Sequence, residues 1–257
     1  MIVLVAGAFT AFILLPLVAI FARVLPTSAL GSTLGRPLVL EALRLSAFTS
    51  LFALGLALVI GTPFAYLLAR RQFPGKGFID SIVELPMVLP PAVAGIGLLM
   101  AFGRRGLVGA PLDALGLGIA FTTIAVVLAE AFVSAPFYVR AARSAFLDVD
   151  QELEIVSRTL GLSDWATFWR VTVPVAFPSL LGGAVMCWAR ALGEFGATIM
   201  FAGSFPGRTQ TMPLAIYAAL DSDLDAALVL SAVLTVVSFV VLIVLRASVR
   251  RLGGAYG

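Results

Sequence analysis

SAFLDVDQELEIVSRTLGLSDWATFWRVTVP, residues 144–174, is the longest hydrophilic stretch of the chain, and long apolar runs lie on either side of it. It is too polar to cross a membrane and too regular to be unstructured. Asp148 with Gln151 three positions later has the spacing of a capping box, and Asp150, Glu152 and Glu154 suit the positive N-terminal end of a helix. Leu153, Val156 and Leu160 then recur at helical spacing and form one apolar face. Gly161 is the expected left-handed stop. Ser163 is positioned to cap a second short helix that carries Trp165, Phe168 and Trp169 and ends before Pro174. A helix of about ten residues is marginal alone in water. Its apolar face therefore needs either a partner's groove or the chain's own helix ends to pack against.

Around this loop the chain is overwhelmingly apolar: of 257 residues, 61% are hydrophobic and 12% charged, with a mean hydropathy of +1.08. Soluble domains carry about 25% charged residues, so a soluble domain is excluded. There is no His and a single cysteine, Cys187. A His-containing catalytic triad, a His-ligated metal site and an internal disulfide go with them. A hydrocarbon layer of about 30 Å needs roughly 20 apolar residues. Six stretches qualify: 1–22, 45–69, 85–103, 118–138, 171–202 and 226–245. The first lacks the basic start and small-residue cleavage pattern of a signal peptide and is expected to be a retained helix. The expected fold is all-α: one transmembrane domain over residues 1–257, with six membrane helices and a short cytoplasmic helix in the loop 144–170.

Basic residues orient this arrangement. The loops after spans two and four, with the C-terminal tail, hold Arg70, Arg71, Lys76, Arg140, Arg143, Arg158, Arg170, Arg246, Arg250 and Arg251. The other side holds Arg23, Arg36, Arg44, Arg104, Arg105 and Arg208. The richer set belongs in the cytoplasm, which places both termini there. The basic balance thus marks membrane edges and gives no reason to expect nucleic acid. Proline and glycine punctuate the spans, most densely at Pro86, Pro90 and Pro91. Such helices bend and pack closely.

Within the central loop, Gly161 and Pro174 stand in the register of the EAA loop found in the membrane subunits of ABC importers, and the segment resembles that loop. Ile155, Val156 and Ser157 occupy the E-A-A positions, Glu154 stands one residue early, and Val171 and Val173 replace the final Ile and Leu of the family pattern. The resemblance implies a coupling helix that docks on a separate ATPase subunit, with Glu152, Glu154, Ser157, Arg158, Gly161 and Leu162 as the coupling residues. In agreement, no G-x-x-x-x-G-K-[ST] motif is present, and the only lysine, Lys76, lies in FPGKGF. The chain is therefore not expected to be an enzyme by itself.

Farther on, RALGEFGATIMFAGSFPGRTQTMPLAIY, residues 190–217, together with PMVLPPAVAGIGLL, residues 86–99, is similar to the membrane subunit of molybdate and tungstate importers. Sulfate and thiosulfate importers share the E-F-G element and are the alternative. The resemblance implies a homodimer in the bilayer, two ATPase subunits that carry ATP and Mg, and an extracytoplasmic binding protein that delivers the oxyanion. No cofactor or metal is expected on this chain. By the same resemblance a gate forms at Pro90, Pro91, Ala92 and Val93 in span three and at Ala184, Val185 and Trp188 in span five.

Three ionisable residues stand inside predicted spans. Arg190 and Glu194 are four apart and can pair, roughly 25–31 Å along a continuous fifth span. The pair serves either the outer-side reception of a dianion or docked protein, or architecture alone. Glu130 lies mid-membrane, where an ionisable group is a functional candidate by default. Because a carboxylate repels an oxyanion, Glu130 is expected to face helix packing, protonated or hydrogen-bonded, away from the route. Two rivals, a secondary transporter and a membrane enzyme, would need repeated halves or a reactive constellation, and no clear trace of either is seen.

Overall fold

A computed structural model describes residues 1–25 and 29–253; residues 254–257, counted with the cytoplasmic tail, lie outside it. The described residues are helical, with no strand among them. In chain order the helices are α1 (Ile2–Val24), α2 (Ala29–Leu34), α3 (Pro37–Arg70), α4 (Lys76–Val88), α5 (Pro91–Phe102), α6 (Gly109–Ala114) and α7 (Thr123–Asp148). There follow α8 (Gln151–Thr159), α9 (Asp164–Thr167), a π turn (Phe168–Thr172), α10 (Val173–Leu192), α11 (Gly196–Ala202), α12 (Met212–Leu220) and α13 (Leu224–Gly253). Among the described residues, five helical stretches are long and apolar enough to cross a membrane: Val3–Val24, Pro37–Arg70, Thr123–Asp148, Asp164–Leu192 and Leu224–Ile243. The pair α4 and α5 makes a sixth if the two are counted as one span.

That pair corrects the expected straight span at 85–103. Leu89 and Pro90 are both extended, with ψ of 134° and 133°. Each precedes a proline, whose ring disfavours helical geometry in the residue before it. Two such constraints in succession bend the pair by 115°. Pro91 then opens α5 in the first turn, where its missing N–H costs nothing. The span expected at 171–202 is also corrected. Its helix begins in the loop at Asp164 and ends at Leu192, and α11 is separate. The second span is longer than the apolar run 45–69, because α3 continues back through Arg44 and Glu41 to Pro37. At 34 residues it measures about 51 Å, beyond the hydrocarbon thickness.

Contacts divide the described residues into two compact units, those within 1–46 with 204–241, and those within 47–203 with 242–253. In the first, Val39, Ala42, Met212, Ala215 and Leu230 pack together, and Ser46 Oγ accepts from the Met212 N–H at 2.7 Å. The second is built on α7 and α10, which pack along one another. Small residues line that contact, including Ala142, Ala145, Ala176 and Ala184, and Tyr138, Phe146 and Phe168 complete the cluster. The Tyr138 hydroxyl pairs with Thr62 of α3 at 2.6 Å. On the far side of α7, α5 and α11 cross so closely that a Cβ added at Gly95 would lie 2.7 Å from the Ala197 carbonyl oxygen.

Candidate coupling helix and membrane path

The loop that opened the sequence folds as its local signals direct, with two changes. The cap of α8 is Asp150, whose carboxylate accepts from the Glu152 N–H at 2.9 Å. The expected capping box at Asp148 does not form, because Asp148 still belongs to α7. The C-terminus closes as a Schellman motif: Leu162 N–H donates to the Ser157 carbonyl at 3.1 Å and Gly161 N–H to the Arg158 carbonyl at 3.0 Å. Gly161 has φ +93°, a conformation that a side chain disfavours. Ser163 caps α9 through the Ala166 N–H at 3.3 Å. The second short helix does not stop before Pro174. It passes through the π turn into α10, whose first turn contains Pro174. Proline lacks an N–H and crowds the carbonyl four residues back, at Arg170, and a wider turn at that point keeps the helix continuous.

The two faces of α8 differ sharply. Leu153, Val156 and Leu160 are exposed, at 46%, 54% and 76%, so this apolar face does not pack on the chain's own helix ends. Trp165, also exposed, follows in α9. Glu154 and Ser157 face inward and are buried. The Glu154 carboxylate accepts from Arg70 Nε at 3.0 Å and Nη2 at 2.9 Å, from Thr172 Oγ1 at 2.9 Å and from the Tyr66 hydroxyl at 3.3 Å. Arg70 Nη2 also donates to the Val149 carbonyl at 2.9 Å. The rings of Phe146 and Phe168 pack edge-on to Tyr66, at 5.5 and 4.7 Å, beside this cluster. Ser157 Oγ meets Thr167 Oγ1 at 2.8 Å.

Of the six residues expected to couple, Glu152, Arg158 and Gly161 are thus exposed, Leu162 is partly so, and Glu154 and Ser157 are turned into the chain. Arg158 lies 3.7 Å from Glu154 and 3.5 Å from Asp164. Sequence reasoning missed Arg70, Tyr66, Thr167 and Thr172. A signal for Arg70 was present, since the distribution of basic residues put it on the same membrane side as the acidic loop.

The seven expected gate residues are more scattered. Pro90, Pro91, Ala92 and Val93 sit at the bend and in the first turn of α5. Ala184 and Val185 are buried on α10, and the half-buried Trp188 donates its indole N–H to Ser50 Oγ at 2.8 Å. Of the seven, only Ala184 lines the apolar cavity of about 510 Å³ bounded by α3, α9, the π turn and α10. Arg190 Nη2 and Glu194 Oε2 are 2.6 Å apart. Glu194 does not lie on the helix of Arg190, as a continuous span would require. It sits in the turn after α10, buried, and its other oxygen accepts from the Ala197 N–H at 2.7 Å to cap α11. This is the geometry of an architectural bridge. Glu130 is buried in α7 and accepts from Thr49 Oγ1 at 2.9 Å, facing helix packing as expected.

Residues 61–254 match the family model described as binding-protein-dependent transport system inner membrane component. The chain belongs to that family. As an inner membrane component of a transport system it spans the membrane several times and is not itself an enzyme. Among the relatives of this component is the Molybdenum transport system permease protein ModB of Mycobacterium tuberculosis, 43% identical over 90% of this chain and 88% of the relative. The ModB of Escherichia coli K12 is 46% identical over 70% of this chain and 77% of its own length. The Molybdate/tungstate transport system permease protein WtpB of Pyrococcus furiosus is 41% identical over 93% and 91%. Among solved structures, a chain of a bacterial ABC transporter importing alginate has a TM-score of 0.74 at 17% identity, covering 98% of this component and 94% of that chain. A chain of the MetNI methionine ABC transporter has 0.60 at 18%, covering 83% and 94%. Both share the fold.

Proposed function

We propose that the chain is the membrane subunit of an ATP-driven importer of molybdate or tungstate. The observation that carries the reading is the division of α8 into a buried face, held by Glu154, and an exposed apolar face of Leu153, Val156 and Leu160. A short amphipathic helix held in that way is a docking element. Its partner is an ATPase subunit, which binds the ATP and Mg that this chain does not. The chain crosses the membrane six times, with α4 and α5 together as the third crossing and both termini cytoplasmic, and two copies enclose the path. An extracytoplasmic binding protein supplies the oxyanion, as the solved alginate system includes a periplasmic protein. The substrate class rests on the relatives, which match this chain over nearly their whole length.

Gating is assigned to Pro90, Pro91, Ala92 and Val93 with Ala184, Val185 and Trp188. Apart from Trp188, whose indole N–H is engaged by Ser50, the groups at these positions are small or apolar and bind a tetrahedral dianion weakly, which favours passage and leaves selectivity to the binding protein. The test is reconstitution with the ATPase and binding protein in proteoliposomes, measuring ATP-dependent molybdate uptake with sulfate as competitor. Uptake driven by a proton gradient without the ATPase, or efficient competition by sulfate, overturns the reading. Leu160→Asp places a charge on the docking face without touching the buried one. The variant should insert normally yet lose co-purification of the ATPase subunit.

A further inference from the structure

The docking reading of α8 does not by itself explain how a push on that helix reaches the membrane helices. Its covalent links are short turns, Val149–Asp150 on one side and the Schellman turn through Gly161 on the other. Turns of this kind transmit a pull poorly unless the helix is also fastened across its length. Apart from the Ser157–Thr167 bond to α9, the fastening is one carboxylate. Glu154 is bound by Arg70, the last residue of α3, and by Thr172, the last residue of the π turn that leads directly into α10. Through its bond to the Val149 carbonyl, Arg70 also fastens the chain just beyond the end of α7.

The site is dry. The side chains of Arg70 and Glu154 are 8% and 4% exposed. Charge-assisted bonds are stronger than neutral ones, and a low local dielectric strengthens them further. Water cannot replace them at this depth, so the fastening breaks only at high cost. The grip on α10 falls at its one wide turn, and such turns are frequent at functional sites.

We propose that Glu154 is a positioning residue of energy transfer: through Arg70 and Thr172 it clamps α8 to the ends of α3 and α10, so that the three move as one block. The inference rests on the proposed function and assigns Glu154 a role within the chain instead of a contact on the ATPase. The experiment measures oxyanion imported per ATP hydrolysed, using radiolabelled molybdate and the full complex in proteoliposomes. Glu154→Gln removes the charge and keeps the size. Its ratio should fall about tenfold, within the range by which residues of a coupling network act, while the ATPase subunit still co-purifies. Glu154→Ala and Arg70→Ala should each lower the ratio, and the double variant should be no worse than the lower single, because both remove one link.

An unchanged ratio in Glu154→Gln, or losses that add in the double variant, overturns the proposal. So does a result in which less complex forms but each assembled complex keeps the normal ratio, since that is what a purely structural role produces. If Glu154→Gln does not assemble, Thr172→Val decides, because it removes a single neutral bond: a ratio lowered about twofold or more supports the clamp, and an unchanged one overturns it. If the unaltered complex shows no ATP-dependent uptake, the proposed function falls and the clamp with it, whatever the variants do. Normal uptake by both the unaltered complex and the variants removes the clamp alone.

Discussion

Glu154 and Glu130 are both carboxylates almost wholly withdrawn from solvent, at 3% and 1% exposure, yet their surroundings are opposite. Glu154 sits near a helix end, where it collects bonds from the Arg70 guanidinium and from two hydroxyls, those of Tyr66 and Thr172. Glu130 sits in the first third of α7, two turns inside the helix, where one neutral hydroxyl serves one oxygen and the other oxygen is without a partner. The difference fits their places in the chain: Glu154 lies in a short helix outside the candidate spans, and Glu130 lies inside one. Arginine is tolerated at a span's edge, where its long stem spans the apolar layer and its head meets polar groups. It is costly at mid-depth. A buried carboxylate near a span's edge can therefore be tied into a charged network, whereas one inside a span depends on neutral donors such as Thr49.

The same substitution at both sites tests this contrast. Glu154→Gln strands the Arg70 guanidinium, whose Nη1 is already buried without a partner. Breaking one side of a buried pair costs about 3–5 kcal/mol, and the variant's thermal unfolding midpoint in detergent should drop markedly. Glu130→Gln retains an oxygen to accept from Thr49 and introduces an amide beside the unpartnered position, for about 1 kcal/mol at most, and transport should be largely intact. Equal losses at the two sites would break the comparison.

Between these two in size lies Gly161→Arg. No atom lies within 4 Å of where its Cβ would be, so there is room for a side chain. What remains is the left-handed backbone, about 1–2 kcal/mol for a residue with a Cβ. The variant should be only mildly destabilised, while ATP hydrolysis and uptake come apart because the turn that aims α8 is altered. Normal coupling in Gly161→Arg vesicles would separate the turn from the clamp and leave Glu154 alone as the linkage.

What could be read in advance divides along a physical line. Gly161, Ser163 and the face of Leu153, Val156 and Leu160 were legible because caps, stops and periodicity are local properties of a few neighbouring residues. Burial of Glu130 was legible because cost at mid-membrane leaves few alternatives. The bend between α4 and α5 was visible as Pro90 and Pro91 but read as one straight span, since apolar length dominated over the constraint each proline puts on the residue before it. Taking charged residues as span limits misplaced the start of α3, where Glu41 and Arg44 lie inside a helix that outruns the bilayer. The partners of Glu154 were hidden for another reason. Arg70 is 84 positions away and Thr172 is 18, and no periodicity links them.

A third carboxylate extends the comparison to the solvent-exposed limit. Asp223, outside the spans, accepts from the Ala226 N–H at 3.0 Å and from Arg36 Nη1 at 2.9 Å, with its side chain 37% exposed. The Ala226 N–H, then Arg36, hold its carboxyl below the usual carboxylate range. A group whose folded pKa is depressed favours the folded state at pH above its unfolded value, and that contribution disappears as pH falls through the folded value. Like Glu154 it is held by a guanidinium and a second donor, but water and salt screen it, and exposed pairs contribute little. Asp223→Asn should therefore leave uptake unchanged and shift the unfolding midpoint least of all these variants, with the shift present at neutral pH, vanishing in acid and shrinking with added salt. A loss matching that of Glu154→Gln would show that burial does not set the strength of these ties.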